Sequence, residues 1–404
     1  MPLLLLTAVA VLGTATGEAV GQQTTAPHFR DVVASTPLDK DALSWDIDVG
    51  LLDDDALPDL VLSQHASMSF YRSVPPTIAR MFRVDRGDPH ACTISDVDLN
   101  GLGDVFCTRG AGRGTITKVN HLWMQTAPRV FVDRAKAYGV TDPLGRGRHT
   151  TFFDLNGDPY PDLFIGNDTP RADGQPSPNR TFLSVGGRRF REVSRGATKE
   201  LGGVCAIAAD VDADGWEDLV VCGKDRLHVY RNRETPAGRR RLQDVARQWG
   251  LDVTGIRSAL VADLDVDGNP DVVTMSPDLL QVYPGRGGGS FARPRTLATL
   301  KSGSWVTIGN LDEQPGRDLF VVQACRRGHN LRDVALFDRD GRWAYELGTD
   351  LPRALGGCGD VAATIDLNRD DVDEVIVLNG ARHGPGSGGD PGPVQVLTTG
   401  SFPG

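Results

Sequence analysis

The chain has 404 residues, with 48 glycines, 25 prolines and a hydrophobic fraction of 40%. This composition favours many turns over long helices. Asp and Glu outnumber Lys and Arg by 53 to 43, so the formal net charge is −10. A nucleic-acid-binding protein needs a basic surface, and the charge balance argues against that class.

The N-terminus predicts a secretory signal peptide over residues 1–22, with a short linker at 23–27. The stretch from Leu3 to Leu12 is almost entirely apolar, but it is too short for a bilayer, which needs about 20 residues. Small residues between 15 and 21 resemble a cleavage site. No Lys or Arg precedes Arg30, so a plain apolar tail is the alternative. We expect a secreted or, in a Gram-negative bacterium, periplasmic protein without a transmembrane anchor.

One sequence pattern recurs seven times: a short apolar run, a nine-residue Asp-rich loop and a second apolar run. The clearest copies are 208–221 and 261–273. The mean spacing is about 52 residues, which is close to the kelch repeat length. The seven loops end at Asp59, Asp104, Asp162, Asp218, Asp271, Asp318 and Glu374.

The repeat predicts an all-β, seven-bladed β-propeller over residues 28–399, followed by a tail at 400–404. The apolar runs are rich in Val, Ile, Leu and Phe and read as strands. Further strands such as 227–230 and 190–193 bring each period to four, which is one blade. A solenoid, the alternative, needs polar capping repeats, which the sequence lacks. We expect the pattern at Phe29 and the strand 394–397 to share one blade and close the ring.

The loops predict calcium sites. Positions 1, 3, 5 and 9 are acidic or Asn, and such side chains can converge as the oxygen cage that Ca²⁺ prefers. Glycine at position 6 permits a sharp turn. An EF-hand differs, because its last ligand is at position 12 and helices flank its loop. Turn formation alone is the alternative reading of each loop.

Five loops carry a complete ligand set. They are Asp96, Asp98, Asn100 and Asp104; Asp154, Asn156, Asp158 and Asp162; Asp210, Asp212, Asp214 and Asp218; Asp263, Asp265, Asp267 and Asp271; and Asp366, Asn368, Asp370 and Glu374. The first loop has Leu51 at position 1, and the sixth has Asn310, Asp312, Gln314 and Asp318. We expect these two loops to bind calcium weakly or not at all.

These loops resemble the FG-GAP and VCBS repeats of integrin alpha-chain propellers. The segments 162–168, 179–183 and 190–193 resemble more closely the cartilage acidic protein family and its bacterial relatives. The resemblance spans about 370 residues. It implies adhesion or extracellular recognition, with calcium as a structural ion and an extracellular protein or glycan as the partner of a monomer. The integrin-recognition tripeptide at 86–88 is expected by chance in a chain of this composition.

Five residues that precede their loops by five or six positions form a candidate ligand site. They are His90, Arg148, His149, Arg257 and Trp305. If the strand before each loop lines the channel, these side chains gather at the mouth opposite the calcium loops. Ordinary residues at the start of a strand are the alternative reading.

A propeller enzyme, such as a polysaccharide lyase or a quinone dehydrogenase, is the alternative functional class. The sequence shows no nucleophile elbow, zinc spacing or phosphate loop. Catalysis would require acid and base groups that converge in the channel. The discriminating observation is whether His90 and His149 share one cleft with an acidic partner.

The six cysteines predict three disulfides. Cys92 and Cys107 flank the second loop, and Cys205 and Cys222 flank the fourth. Antiparallel pairing from the loop ends places the members of each pair opposite one another, in the same register in both blades. Cys325 and Cys358 would tie adjacent blades. Six buried thiols in a cytosolic chain are the alternative.

Overall fold

The structure is a computed structural model. It describes residues 27–38, 44–64, 67–85, 89–110, 119–168, 175–194, 202–314, 316–324, 331–339, 341, 345–347, 359–379 and 394–402. The predicted signal peptide, the tripeptide at 86–88, Cys325 and Cys358 lie outside these residues. None of the helices formed by the described residues combines the length and the apolar character needed to cross a bilayer.

The described residues form seven four-stranded antiparallel sheets, each of which is one blade. Strand β1 (Arg30–Asp31) comes first in the chain. Blade 1 contains β2 (Ser44–Gly50), β3 (Asp59–Gln64), β4 (Met68–Val74) and β5 (Thr77–Val84). Blade 2 contains β6 (Pro89–Ser95), β7 (Asp104–Arg109), β8 (His121–Ala127) and β9 (Val130–Asp133). Blade 3 contains β10 (Gly147–Phe153), β11 (Asp162–Asn167), β12 (Arg180–Ser184) and β13 (Phe190–Glu192).

The remaining blades follow the same plan. Blade 4 contains β14 (Cys205–Ala209), β15 (Asp218–Cys222), β16 (Leu227–Glu234) and β17 (Arg240–Asp244). Blade 5 contains β18 (Ser258–Ala262), β19 (Asp271–Met275), β20 (Leu279–Tyr283) and β21 (Arg295–Thr299). Blade 6 contains β22 (Gly303–Gly309), β23 (Asp318–Gln323), β24 (Val334–Asp338) and β25 (Tyr345–Leu347). Blade 7 contains β26 (Gly359–Ile365), β27 (Glu374–Asn379) and β28 (Gln395–Thr398), with β1 as its fourth strand.

The two ends of the propeller meet in blade 7. Strand β1 pairs with β28, with Arg30 opposite Thr398 and Asp31 opposite Leu397. The first strand of each blade contacts the first strands of both neighbouring blades, so these seven inner strands form a closed ring around a channel. The predicted seven-bladed propeller and its shared closing blade are therefore confirmed, and closure protects the inner sheet edges.

The core lies between blades, and the second strand of each blade is buried on both faces. In blade 3, Leu163 and Ile165 pack with Phe106 of blade 2, while the intervening Phe164 packs with Leu219 of blade 4. Successive side chains of a strand point to opposite faces. The second strand of a blade is packed between two neighbouring blades, so side chains on both of its faces are apolar. This explains why the second apolar run of each repeat is continuous.

Two one-turn helices follow the fourth strands of blades 2 and 4: α1 (Ala135–Tyr138) and α2 (Ala246–Trp249). The N–H of Ala135 donates to Asp133 Oδ1 at 3.0 Å, and the N–H of Ala246 donates to Asp244 Oδ1 at 3.1 Å. In blades 2 and 4 the Asp at the end of the fourth strand therefore accepts a backbone N–H from the first turn of the helix that follows. The sequence reading did not predict these helices.

The structure contains the predicted bonds Cys92–Cys107 and Cys205–Cys222, with Cα atoms 4.1 and 5.0 Å apart. Both pairs are directly opposed across their hairpins. The predicted shared register is therefore confirmed, but the two bonds differ in the sheet face on which they lie. Cys107 comes three residues after its loop and Cys222 four, so the two bonds lie on opposite faces of their sheets. The blade 2 bond packs against blade 1, and the blade 4 bond packs against blade 5.

Candidate calcium loops and channel cavity

The acidic residue at position 9 is almost fully buried in all seven loops. In the second loop, Asp104 Oδ2 accepts the N–H of Val97 at 2.9 Å and Oδ1 accepts the N–H of Gln125, on the third strand, at 2.7 Å. The fifth loop repeats this pattern, because Asp271 accepts the N–H groups of Leu264 and Gly285. Position 9 therefore joins each loop to the third strand of its blade.

Burial raises the pKa of these carboxyl groups, because desolvation penalises the charged form. The pKa is raised to about 7 for Asp104, Asp162, Asp218, Asp271 and Glu374. It is raised to about 6 for Asp59 and Asp318. Neighbouring loop carboxylates raise the pKa further in each case, so a cation at the loop would favour the ionised state.

The carboxylate at position 1 accepts backbone N–H groups of its own loop. Asp210 accepts the N–H groups of Asp214 and Gly215 at 3.0 and 2.8 Å, and Asp263 accepts the corresponding two at 3.0 Å. Where position 6 is glycine it has positive φ as predicted, for example 87° at Gly215, but position 4 also has positive φ in several loops, with 56° at Val266. No sequence signal marked position 4, because its residue is not glycine in most loops.

Three of the five complete loops bring carboxylate oxygens from positions 1, 3 and 9 within 4.8 Å of one another. In the third and seventh loops position 3 is Asn, and its amide donates within the loop: Asn156 to Asp158 at 2.7 Å and Asn368 to Asp370 at 3.3 Å. The converging clusters are Asp96, Asp98 and Asp104; Asp210, Asp212 and Asp218; and Asp263, Asp265 and Asp271. A set of hard oxygen donors of this kind fits Ca²⁺.

Arginine side chains reach two of the loops. Arg231, on the third strand of blade 4, places Nε 2.7 Å from Asp212 Oδ2 and Nη2 3.0 Å from Asp214 Oδ2. In the sixth loop Arg339 Nη1 lies 2.7 Å from Asp312 Oδ2. The sequence reading missed both arginines, which lie on or after the third strand rather than in the loop.

A cavity of about 70 Å³ lies at the end of the inner strands remote from the loops. It draws residues from blades 1, 3, 4, 6 and 7. The lining residues are Trp45, Asp46, Arg148, His149, Val204, Trp305, Asp360 and Val361.

The cavity includes three of the five predicted ligand residues: Arg148, His149 and Trp305. The rings of His149 and Trp305 are stacked with centroids 5.9 Å apart. The predicted His90 does not line the cavity. The centroid of its ring lies 4.8 Å from that of Trp45, which does. Arg257 instead donates to the carbonyl of Gly303 in the next blade, at 3.0 Å.

The sequence reading missed Trp45 and Asp360, although the signal was available. Each precedes its loop by six residues, as His90 and Arg148 do. Asp46 follows Trp45 in the same strand. Burial raises the pKa of Asp46 well above its usual range, with Asp48 adding to the effect, and burial lowers the pKa of His149 to about 4.

These observations define a seven-bladed β-propeller with Asp-rich loops at one end of its inner strands. Residues 210–274, from the fourth loop to the second strand of blade 5, match the family model described as an FG-GAP-like repeat. The predicted FG-GAP repeat is therefore confirmed for this segment of the propeller. The finer likeness to cartilage acidic and integrin propellers stays a prediction. Comparison with curated protein sequences found no significant match.

Solved structures share the fold at low identity. BBS1N, solved in complex with ARL6DN, is 9% identical, with a TM-score of 0.53, and the alignment covers 93% of this chain and 98% of that one. The extracellular domain of the putative hybrid two component system BT4673 from B. thetaiotaomicron is 10% identical, with a TM-score of 0.50; the alignment covers 91% of this chain and 39% of that one. At such identities the likeness shows the fold alone.

Proposed function

We propose that this propeller is an exported, calcium-binding recognition module without catalytic activity. The observation that supports it most is the convergence of three carboxylates within 4.8 Å in the second, fourth and fifth loops. Carboxylates so close repel one another unless a cation or protons neutralise them. Evenly spaced loops that repeat this arrangement are better explained by an ion than by turn formation.

The placement of the loop residues supports a structural role for the ion. The ligands at positions 1, 3, 5 and 9 lie on the hairpin between the first two strands, and position 9 also binds the third strand. A bound calcium ion would supply positive charge that holds these groups together. Because the folded loop binds the ion and the unfolded chain does not, ion binding stabilises the blade.

Export is supported by the two disulfides and by the N-terminal sequence pattern. Disulfides persist in oxidising compartments and are rare in the cytosol. We extend the proposal to a third bond, Cys325–Cys358, between adjacent blades. Non-reducing peptide mapping of the exported protein tests it, and alkylation of either thiol in the unreduced protein would contradict it.

Calcium removal tests the proposed function. We expect the melting temperature in EDTA to be lower than in calcium, and Asp212→Ala to remove one site while the remaining blades stay folded. Coinciding melting curves in calcium and EDTA would overturn the calcium assignment. A pull-down from the native envelope or medium, with and without EDTA, tests recognition, and we expect a monomer that captures an extracellular protein or glycan only when calcium is present.

One observation favours a second candidate, a propeller enzyme. The cavity places His149 beside the acidic residues Asp46 and Asp360, as an acid–base site requires, but His90 does not line it, so the predicted pair of histidines does not share one cleft. Burial keeps His149 uncharged near neutral pH, since it lowers its pKa to about 4. Incubation with extracellular polysaccharides separates the candidates, because an enzyme releases product and a binding module retains the polymer unchanged.

A further inference from the structure

Residues at the end of the fourth loop contact the backbone of the third loop. At position 7 of the fourth loop, the indole of Trp216 lies against Gly157, which is position 4 of the third loop, so closely that a Cβ at Gly157 would meet the ring at 2.7 Å. At position 8, Glu217 Oε2 accepts the N–H of Asp154, which is position 1 of the third loop, at 2.6 Å. These contacts hold the third loop at its start and at its middle.

Position 9 of the fourth loop is linked to the third loop through Asn232. Asp218 Oδ1 accepts the N–H of Asn232 at 2.7 Å. The side-chain amide of Asn232 donates to the carbonyl of Leu155, which is position 2 of the third loop, at 3.1 Å. Asn232 is fully buried, so loss of this bond would leave a polar group in the core without its partner. One residue therefore connects the position 9 carboxylate of one loop to the backbone of the other.

Blade 5 cannot form these two bonds to the fourth loop. Position 8 of the fifth loop is Pro270, which has no carboxylate, and the residue in the place of Asn232 is Gly285, which has no side chain. The N–H of Gly288 does donate to the carbonyl of Asp212 at 3.0 Å, but it belongs to the turn after the third strand and not to the fifth loop. The third and fourth loops are thus joined by loop residues in a way that the fourth and fifth are not.

These contacts make the order of one loop depend on the order of the other. In the fourth loop three carboxylates lie within 4.8 Å of one another, and they repel unless they are neutralised. Once this repulsion is neutralised, the end of the hairpin that carries Trp216 and Glu217 is held in place, and with it the backbone of Asp154. Binding at the third loop then has less ordering left to supply, which is positive cooperativity. Thermodynamic linkage makes the effect reciprocal.

We propose that calcium binding to the third and fourth loops is cooperative, and that Glu217 is the positioning residue that links the two sites. The proposal rests on the proposed function, because it concerns the regulation of the same calcium sites. The fifth loop binds independently of the fourth. The two coupled sites fill together over a narrow range of calcium concentration, so blades 3 and 4 respond to the ion as one unit.

A cycle of calorimetric calcium titrations tests the proposal. Asp158→Ala empties the third loop, at a position outside the bridging contacts, and Asp210→Ala empties the fourth. If the two sites are independent, the losses of total binding free energy in the single variants add up in the double variant. We expect the loss in the double variant to fall short of the sum by the equivalent of about a tenfold change in affinity, because each single variant already loses the coupling. The same cycle with Asp210→Ala and Asp263→Ala, which empties the fifth loop, is the matched control and should be additive.

Variants of Glu217 test its assignment as the positioning residue. Glu217→Ala removes the acceptor for the N–H of Asp154, so it should make the losses at the third and fourth loops additive. Glu217→Gln keeps an amide oxygen that can accept this N–H, so it should restore most of the coupling. A residue with a merely structural role would not change the additivity. Glu234→Ala is the matched control, because Glu234 is exposed and lies two residues beyond Asn232 on the same strand.

The outcomes separate the cooperativity from the calcium sites themselves. Additive losses at the third and fourth loops would overturn the proposal and leave the calcium sites standing. Coupling that survives Glu217→Ala would overturn the role assigned to Glu217. If the unaltered protein bound no calcium, the proposed function would fail, and the cooperativity with it.

Discussion

The fourth and fifth loops have nearly the same sequence and nearly the same backbone, yet their charge environments differ. Position 4 has φ of 57° at Ala213 and 56° at Val266, and position 6 has φ of 87° and 88° at Gly215 and Gly268. In both loops the position 9 carboxylate accepts an N–H at 2.7 Å, from Asn232 on the third strand of blade 4 and from Gly285 just after the third strand of blade 5. The two hairpins are therefore built in the same way.

The difference in charge comes from the residue that precedes this N–H donor. In blade 4 the residue before the N–H donor is Arg231, which contacts Asp212 and Asp214. In blade 5 the equivalent residue is Pro284, which carries no charge. The fourth loop is thus contacted by the guanidinium of Arg231, while the fifth loop has an uncharged residue at the equivalent position. A loop motif alone does not determine how much a site gains from calcium, because the neighbouring strand sets part of its charge.

The largest effect should come from pH, since it acts on the position 9 carboxyl groups that all loops share. Without calcium their pKa values of about 6 to 7 lie above the ordinary Asp value of about 4. The folded apo protein therefore binds more protons than the unfolded chain between about pH 4 and pH 7. Its stability falls as pH rises through this window.

Calcium should reverse this trend, because the ion binds only the ionised groups. Asp244, with a pKa of about 2, contributes stability that is lost only below about pH 4, outside this window. Melting temperatures of metal-free and calcium-loaded protein at about pH 5 and about pH 8 measure both slopes. A metal-free melting temperature that rises with pH would contradict the burial argument.

The next largest effect is expected at position 9, where the two loops should respond equally. Asp218→Ala and Asp271→Ala each remove a buried acceptor and leave backbone N–H groups without a partner. We expect each to lower the free energy of unfolding by about 3 kcal/mol in EDTA, and by more in calcium, because position 9 is also a proposed ligand. Denaturant unfolding measures this. Asp54→Ala, in the exposed part of the first loop, is the control and should change stability little.

Substitutions at position 3 should affect the fourth and fifth loops differently. Asp265→Ala should abolish calcium binding at the fifth loop, and with it about 2.7 kcal/mol of stabilisation when free calcium is a hundredfold above Kd. Asp212→Ala should lose less calcium-dependent stability, because Arg231 already offsets part of the charge at the fourth loop. In EDTA we expect the order to invert, since Asp212→Ala removes the ion pair with Arg231. The difference in melting temperature between calcium and EDTA, measured for both variants, decides this. Equal differences would mean that Arg231 does not affect the site.

The sequence predicted the repeated hairpin well, because each blade repeats the same local pattern and errors in one copy are corrected by the others. The closing pair Asp31–Leu397 followed from the same repetition. Contacts between separate segments were harder. Arg231 contacts the fourth loop only because the third strand folds back beside it, and this contact leaves no periodic signal.

The smallest expected effect is that of Arg231→Gln, which tests the difference between the fourth and fifth loops directly. Arg231→Gln removes the internal cation of the fourth loop and makes that loop resemble the fifth. In EDTA, loss of a partly exposed ion pair should cost less than about 1 kcal/mol. In calcium, Asp212 and Asp214 become available to the ion, so the affinity of one site should rise several-fold. Calcium titration by calorimetry measures this. Arg233→Gln is the matched control, because Arg233 lies two residues along the same strand and contacts Gln243 at 2.9 Å instead of the loop. Identical titrations for the two variants would show that the loops differ for a reason other than the guanidinium beside Asp212.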